Sequence, residues 1–173
     1  YHLPTAEIAM FNAHLKQALA QSQQQLAETS ASLTALGRSM ALIEFLPDGT
    51  ILNANPNFLT LLGYTLEEVR GQHHRLFCEP GQSSSREYSE FWRRLAAGEF
   101  VSDRFLRRDK QGREIWLEAS YNPVLGASGR VEKVLKIAAD ISAKVRQEQE
   151  QNSLINALNR SMAVIEFNLQ GEC

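Results

Sequence analysis

Apolar positions change their spacing along the chain, and each change marks a different kind of element. From about Thr5 to Gly37 they fall at Ile8, Phe11, Leu15, Leu19, Leu26, Leu33 and Leu36, a helical spacing with no internal Gly or Pro. The pattern predicts one long helix, entered after Pro4 with Thr5 as its cap. Its stripe thins through Gln21 to Gln25. A helix this polar needs a partner for its apolar side, in a coiled coil or on a domain surface.

From Ser39 the period becomes that of strands. Met40 to Leu46 is an apolar run, Pro47-Asp48-Gly49 is turn chemistry, and Thr50 to Asn53 opens a second strand. Asn55-Pro56 places a cap before a proline whose missing N–H costs nothing at a helix start. Phe58, Leu59, Leu61 and Leu62 then form a short buried helical side that Gly63 closes. Thr65 and Glu68 have capping-box spacing for another short helix ending at Gly71. After a polar loop, Ser84 and Glu87 repeat that spacing before a helix over 85–97, ended by Gly98. Strands follow at 99–108, 113–124 and 131–139, joined by Lys110-Gln111-Gly112 and Ala127-Ser128-Gly129. Asp140-Ile141-Ser142 leads into a charged, Gln-rich helix reaching about Arg160. The order is α+β, with an antiparallel sheet.

A repeat sets the larger organisation. The run from Ala35 to Phe45 returns from Ala157 to Phe167 with nine of eleven residues identical, and Gly49 returns as Gly171. A period of 122 residues is a tandem domain rather than a solenoid unit. Four segments are expected: an N-terminal helix over 1–37, a domain over 38–142, a connecting helix over 143–160, and the truncated start of a second domain over 161–173.

Composition narrows the function classes. In 173 residues the net charge is −2 and the pI about 6.1, which offers no basic stripe for nucleic acid. No apolar run approaches the roughly 18 residues of a membrane span. No signal peptide opens the chain, and Tyr1 in place of Met is expected of a trimmed start. Cys78 and Cys173 lie far apart, as expected of a reduced, cytoplasmic setting. Neither a Ser-His-Asp set in local motif context, a Gly-rich phosphate loop nor a metal-spaced His/Cys cluster is legible, so the expectation is a sensor and not an enzyme.

Three segments carry a family resemblance: Asp48-Gly49-Thr50-Ile51-Leu52-Asn53-Ala54-Asn55, the run from Leu62 to Gly71, and Tyr121-Asn122-Pro123-Val124. With the closing Asp140-Ile141-Ser142, residues 39–142 resemble a PAS domain. That resemblance implies a five-stranded antiparallel sheet with short helices on one face around a small pocket. It also implies that Asp140, Ile141 and Ser142 relay a signal into the helix that follows. The run from Gly71 to Cys78, with Glu90-Phe91-Trp92 and Gly98-Glu99-Phe100, is similar to cytoplasmic chemoreceptors of the biofilm-dispersion and energy-taxis types, which carry two successive PAS domains. Such receptors end in a methyl-accepting hairpin that engages the CheA kinase and CheW.

Strand alternation puts Ile115, Leu117, Ala119 and Tyr121 on one face and Trp116, Glu118, Ser120 and Asn122 on the other. The resemblance turns the first set toward the pocket and makes Trp116 a platform for the N-terminal helix. The candidate cofactor-binding residues are His73, His74, Trp92, Leu117, Tyr121 and Asn122. Adjacent histidines on a short helix face different ways, so at most one points inward. His74 becomes a metal ligand only if haem is bound. FAD-binding receptors are similar at His74 and Trp92, but the cationic partners a pyrophosphate needs are replaced by Cys78 and Glu79. Haem, FAD and no cofactor therefore all stay open. Cys78 reads as a small buried hydrophobe or as a redox switch.

Two functions follow as expectations. One is a sensor that passes a redox, gas or small-ligand signal through its helices to a kinase-controlling domain. The other is a ligand-free module for dimerisation and assembly, through the N-terminal helix and the outer sheet face.

Overall fold

A computed structural model describes residues 5–161. Its elements are α1 (Thr5–Ser39), β1 (Ala41–Phe45), β2 (Ile51–Ala54), α2 (Pro56–Leu62), α3 (Leu66–Val69), α4 (Arg86–Ala96), β3 (Val101–Arg108), β4 (Glu114–Leu125), β5 (Val131–Asp140) and α5 (Ser142–Ser161). Two 3₁₀ turns, His74–Phe77 and Gln82–Ser84, lie between α3 and α4. Of the predicted start of a second domain, 161–173, Ser161 is the last residue of α5 and the rest lies outside the described residues.

The chain divides into two units, Tyr1–Met40 and Ala41–Cys173. The first is α1, unbroken over 35 residues. Phe11, Leu15, Leu19 and Leu26 along it are 59–68% exposed. No described helix is long and apolar enough to cross a membrane.

In the second unit all neighbouring strands pair antiparallel in the order β2-β1-β5-β4-β3. The five-stranded α+β architecture is the expected one. A period of two sends Ala41, Ile43 and Phe45 of β1, Leu117, Ala119 and Tyr121 of β4, and Val134 and Ala138 of β5 into one core. Phe58 and Leu62 of α2, Val69 of α3, and Trp92 and Leu95 of α4 join the same core.

Local chemistry sets the helix starts. The Asn55 side chain accepts the N–H groups of Phe58 and Leu42, each at 2.9 Å, which caps α2 and ties it to β1. Thr65 and Glu68 close a reciprocal capping box on α3. The α4 start corrects the predicted Ser84–Glu87 box. Ser85 is the cap and accepts the Tyr88 N–H at 3.0 Å. Ser84 is taken up by the preceding 3₁₀ turn, where its hydroxyl donates to the Gly81 carbonyl at 2.9 Å.

The segment after α3 runs back along β2. Gly71 N–H donates to Ile51 O at 2.9 Å and Ile51 N–H to Gln72 O at 2.8 Å, with a bridge between Thr50 and His73. This pairing delivers the two histidines to the β1–β2 turn.

Candidate functional site

The turn receives both histidines through its backbone. The His74 N–H donates to Gly49 O at 2.9 Å, and His73 Nε2 donates to Asp48 O at 2.7 Å. Gly49 has φ +93°, and a Cβ there would lie 2.8 Å from both His73 and Trp92. Glycine is required at this position by conformation and by space.

As the residue pattern demanded, the two imidazoles diverge. His73 is partly exposed and its Nδ1 accepts the Arg75 N–H at 3.2 Å. His74 is fully buried. Its ring lies 5.4 Å from both Phe45 and Trp92 and 5.8 Å from Tyr121, all edge-on. Both of its nitrogens are engaged, Nδ1 with the Tyr88 hydroxyl at 2.9 Å and Nε2 with the Tyr121 hydroxyl at 3.0 Å. Helical spacing on α4 brings Tyr88 and Trp92 to this place on one side of the helix.

Two buried cations complete the cluster. Arg107 is 3% exposed and Lys136 1%. Arg107 lies on edge strand β3 and Lys136 on central β5, directly across from Tyr121 in the β4–β5 ladder. An Arg107 Nη donates to the Tyr121 hydroxyl at 3.4 Å, and Lys136 Nζ sits 4.8 Å from the Tyr121 ring centre. With cationic donors around its oxygen, Tyr121 directs its own proton to His74 Nε2, and His74 Nδ1–H then donates to Tyr88. The result is a polar chain, Arg107–Tyr121–His74–Tyr88, inside an aromatic shell.

Burial sets the charge states, and the cations adjust them. Burial, aided by Arg107 and Lys136, holds the His74 pKa well below the ordinary histidine value. Burial opposes ionisation of Tyr121, but Lys136 and then Arg107 outweigh it and lower its pKa. Burial lowers the Lys136 pKa and raises that of the Cys78 thiol. Cys78 is buried with its sulfur 3.6 Å from His74 Nδ1.

Of the predicted site residues, the structure gathers His74, Trp92, Leu117 and Tyr121 around one interior, with His73 at its rim against Trp92. Asn122 is not among them. It lies on the opposite sheet face, where its amide donates to Ser120 Oγ at 3.1 Å and to Leu135 O at 3.3 Å. Alternation along β4 places it there, because its neighbour Tyr121 points inward.

The haem reading does not fit this arrangement. Each nitrogen of His74 already has a hydroxyl partner, and His73 is held by Asp48 and Arg75, so neither presents a free lone pair to iron. A pyrophosphate fares no better at the positions after the histidines, where Cys78 is a buried thiol and Glu79 is ion-paired with Arg108. Among the described residues, no group of three or more His, Cys, Asp or Glu could hold a metal ion.

Beside the start of β4, strand β5 hands over to α5. Ile141 N–H donates to Trp116 O at 2.9 Å, and Trp116 N–H donates to Ser142 Oγ at 3.0 Å. The Asp140 carboxylate accepts the Ser142 N–H at 2.8 Å. The start of α5 is thus clamped to both backbone groups of one β4 residue.

A PAS-fold family model matches residues 37–146. Biofilm dispersion protein BdlA of Pseudomonas aeruginosa is 52% identical over 139 residues, covering 80% of this chain and 33% of that protein. A blue-light-activated histidine kinase of Brucella ovis is 29% identical over 126 residues, covering 70% of this chain and 26% of the kinase. The chain therefore spans about a third or less of these relatives. Among solved structures, a light-oxygen-voltage domain studied with a flavin analogue superposes with a TM-score of 0.55 at 26% identity, covering 73% of this chain and 96% of that one. A PAS domain from Colwellia psychrerythraea superposes at 0.59 with 22% identity, covering 66% and 98%, and shares the fold.

Proposed function

This chain belongs to the PAS family, and from that premise we propose that it is the sensory module of a cytoplasmic chemoreceptor similar to BdlA. A redox, gas or small-ligand signal acts on the interior around His74 and Tyr121. It passes along β4 to Trp116 and through Asp140, Ile141 and Ser142 into α5. The module works as a homodimer through α1 and the outer sheet face, where the exposed Phe11, Leu15, Leu19 and Leu26 supply apolar surface. CheA and CheW are reached through a signalling domain outside this chain.

One observation carries this reading: Tyr121 inside and Trp116 at the α5 clamp are on the same strand, five residues apart. A shift of β4 register or tilt driven from the interior is delivered directly to the first turn of α5. Switching requires that the two states differ in their contacts with the stimulus. The 52% identity to BdlA supports a chemoreceptor setting for the module.

The test uses the full-length receptor reconstituted with CheA and CheW. Ser142→Ala should change the response of kinase activity to stimulus while the receptor still folds and binds CheW. Kinase control identical to wild type in both Ser142→Ala and Tyr121→Phe would overturn the proposal.

A further inference from the structure

Arg107 and Lys136 are buried cations with no anion to answer them. No carboxylate of a described residue lies within 4.0 Å of either. Among the described residues the Arg107 guanidinium donates to the Leu106 carbonyl and, at 3.4 Å, to Tyr121, its carbon lies 4.9 Å from the Phe105 ring centre, and its buried Nε has no hydrogen-bond partner. Lys136 Nζ stands over ring faces, 4.8 Å from Tyr121, 5.8 Å from Phe58 and 6.0 Å from Phe105. Cation–π contact of this kind offsets only part of the cost of removing an ammonium from water. Buried charges are ordinarily paired or bound to a ligand.

The other polar groups of the cluster do not close the balance. His74 is neutral, and Tyr88 and Cys78 keep their protons. Even an ionised Tyr121 would neutralise one of two positive charges. Arg107 Nε–H is buried without a partner among the described residues, and both cationic side chains lie against Tyr121.

We propose that Arg107 and Lys136 form the recognition site for an anionic group, a carboxylate or phosphate, of a small ligand that enters the PAS interior, with the Tyr121 hydroxyl as a third polar contact. A carboxylate or phosphate suits this geometry because a guanidinium edge and a point-charge ammonium can share its oxygens. The ligand's anion replaces the missing protein carboxylate, and its arrival reorganises the Tyr121–His74 hydrogen bonds. This rests on the sensory reading only for its use in signalling; binding is read on the chain itself, so the two fail separately.

The experiment has two arms on the 173-residue chain. In the first, melting temperature is followed during titration with succinate and with inorganic phosphate in chloride buffer. Wild type should rise by roughly 3–6 °C at ten times the dissociation constant. Lys136→Met and Arg107→Lys should lose most of that rise, and unliganded Lys136→Met should melt no lower than wild type. In the second, the purified chain is weighed by native mass spectrometry before and after denaturation. A released compound bearing a carboxylate or phosphate supports the site and identifies a larger ligand as the source. Two results would overturn the proposal: an equal rise in wild type and both variants, or no rise in wild type together with no released compound.

Discussion

Leucines in the two units meet opposite surroundings. Leu62, Leu95 and Leu117 of the second unit are 0% exposed, whereas Leu15, Leu19 and Leu26 of α1 stand 59–68% exposed. The first group sits where a twofold strand alternation meets short capped helices, so one sheet face is sealed within about a hundred residues. The second group lies on a single helix, which has no second layer of its own to bury a stripe. Apolar side chains therefore make a self-sufficient core in one unit and an exposed stripe in the other.

Substitutions should separate the two roles sharply. Leu117→Ala should cost about 2–5 kcal/mol in urea unfolding, the range for truncating a packed core leucine. Leu19→Ala should change monomer stability by no more than about 0.5 kcal/mol and weaken self-association in sedimentation velocity. Equal destabilisation by both would end the contrast.

The core itself contains a polar interior, and the next effects belong there. Tyr121→Phe removes a hydroxyl shared by His74 and Arg107 and leaves both short of a partner, a loss of about 1–3 kcal/mol. The pH dependence has a definite sign. His74 is held neutral in the fold by burial, against an ordinary value of 6.5. Below that value the unfolded chain takes up a proton that the folded one does not. Stability is therefore full above pH 6.5 and falls as pH drops toward the depressed folded value, by at most about 1.4 kcal/mol per pH unit for this group. Denaturant unfolding from pH 8 to 5 should show this slope, and His74→Phe should flatten it. Within this unit the smallest effect is that of Ser142→Ala, about 0.5–1.5 kcal/mol for one partly buried hydrogen bond, visible mainly as fraying at the start of α5.

Residues whose role is local were legible in the sequence. Asn55, Thr65 and Glu68 act within three or four positions of themselves, so their caps and the ends of α2 and α3 follow from spacing alone. The inward row Leu117, Ala119, Tyr121 is likewise a matter of alternation, and the divergence of His73 and His74 follows from adjacency. The α4 cap moved by one residue because the Gln82–Ser84 turn claimed Ser84, a competition between two weak local preferences. The roles of Arg107, Lys136 and Tyr88 do not follow from local rules, because their partners come from elements distant in sequence. A signal was present for the first two. Lys136 stands midway between inward Val134 and Ala138, and Arg107 two residues after Phe105, so strict alternation points both charges inward. Composition habits, which place Lys and Arg outside, compete with that reading. Asn122 belongs to a family segment, yet alternation places it on the outer face.

Coupling between the interior and α5 is most directly read by hydrogen exchange at the clamp. The amides of Ile141 and Val145 are both hydrogen-bonded, to Trp116 O and to Ile141 O. Exchange mass spectrometry on wild type and Tyr121→Phe, with global stability matched by temperature, should show faster exchange over residues 141–145 in the variant. Protection there identical to wild type, with losses confined to β4 and β5 around Tyr121, would contradict transmission from the interior to the helix.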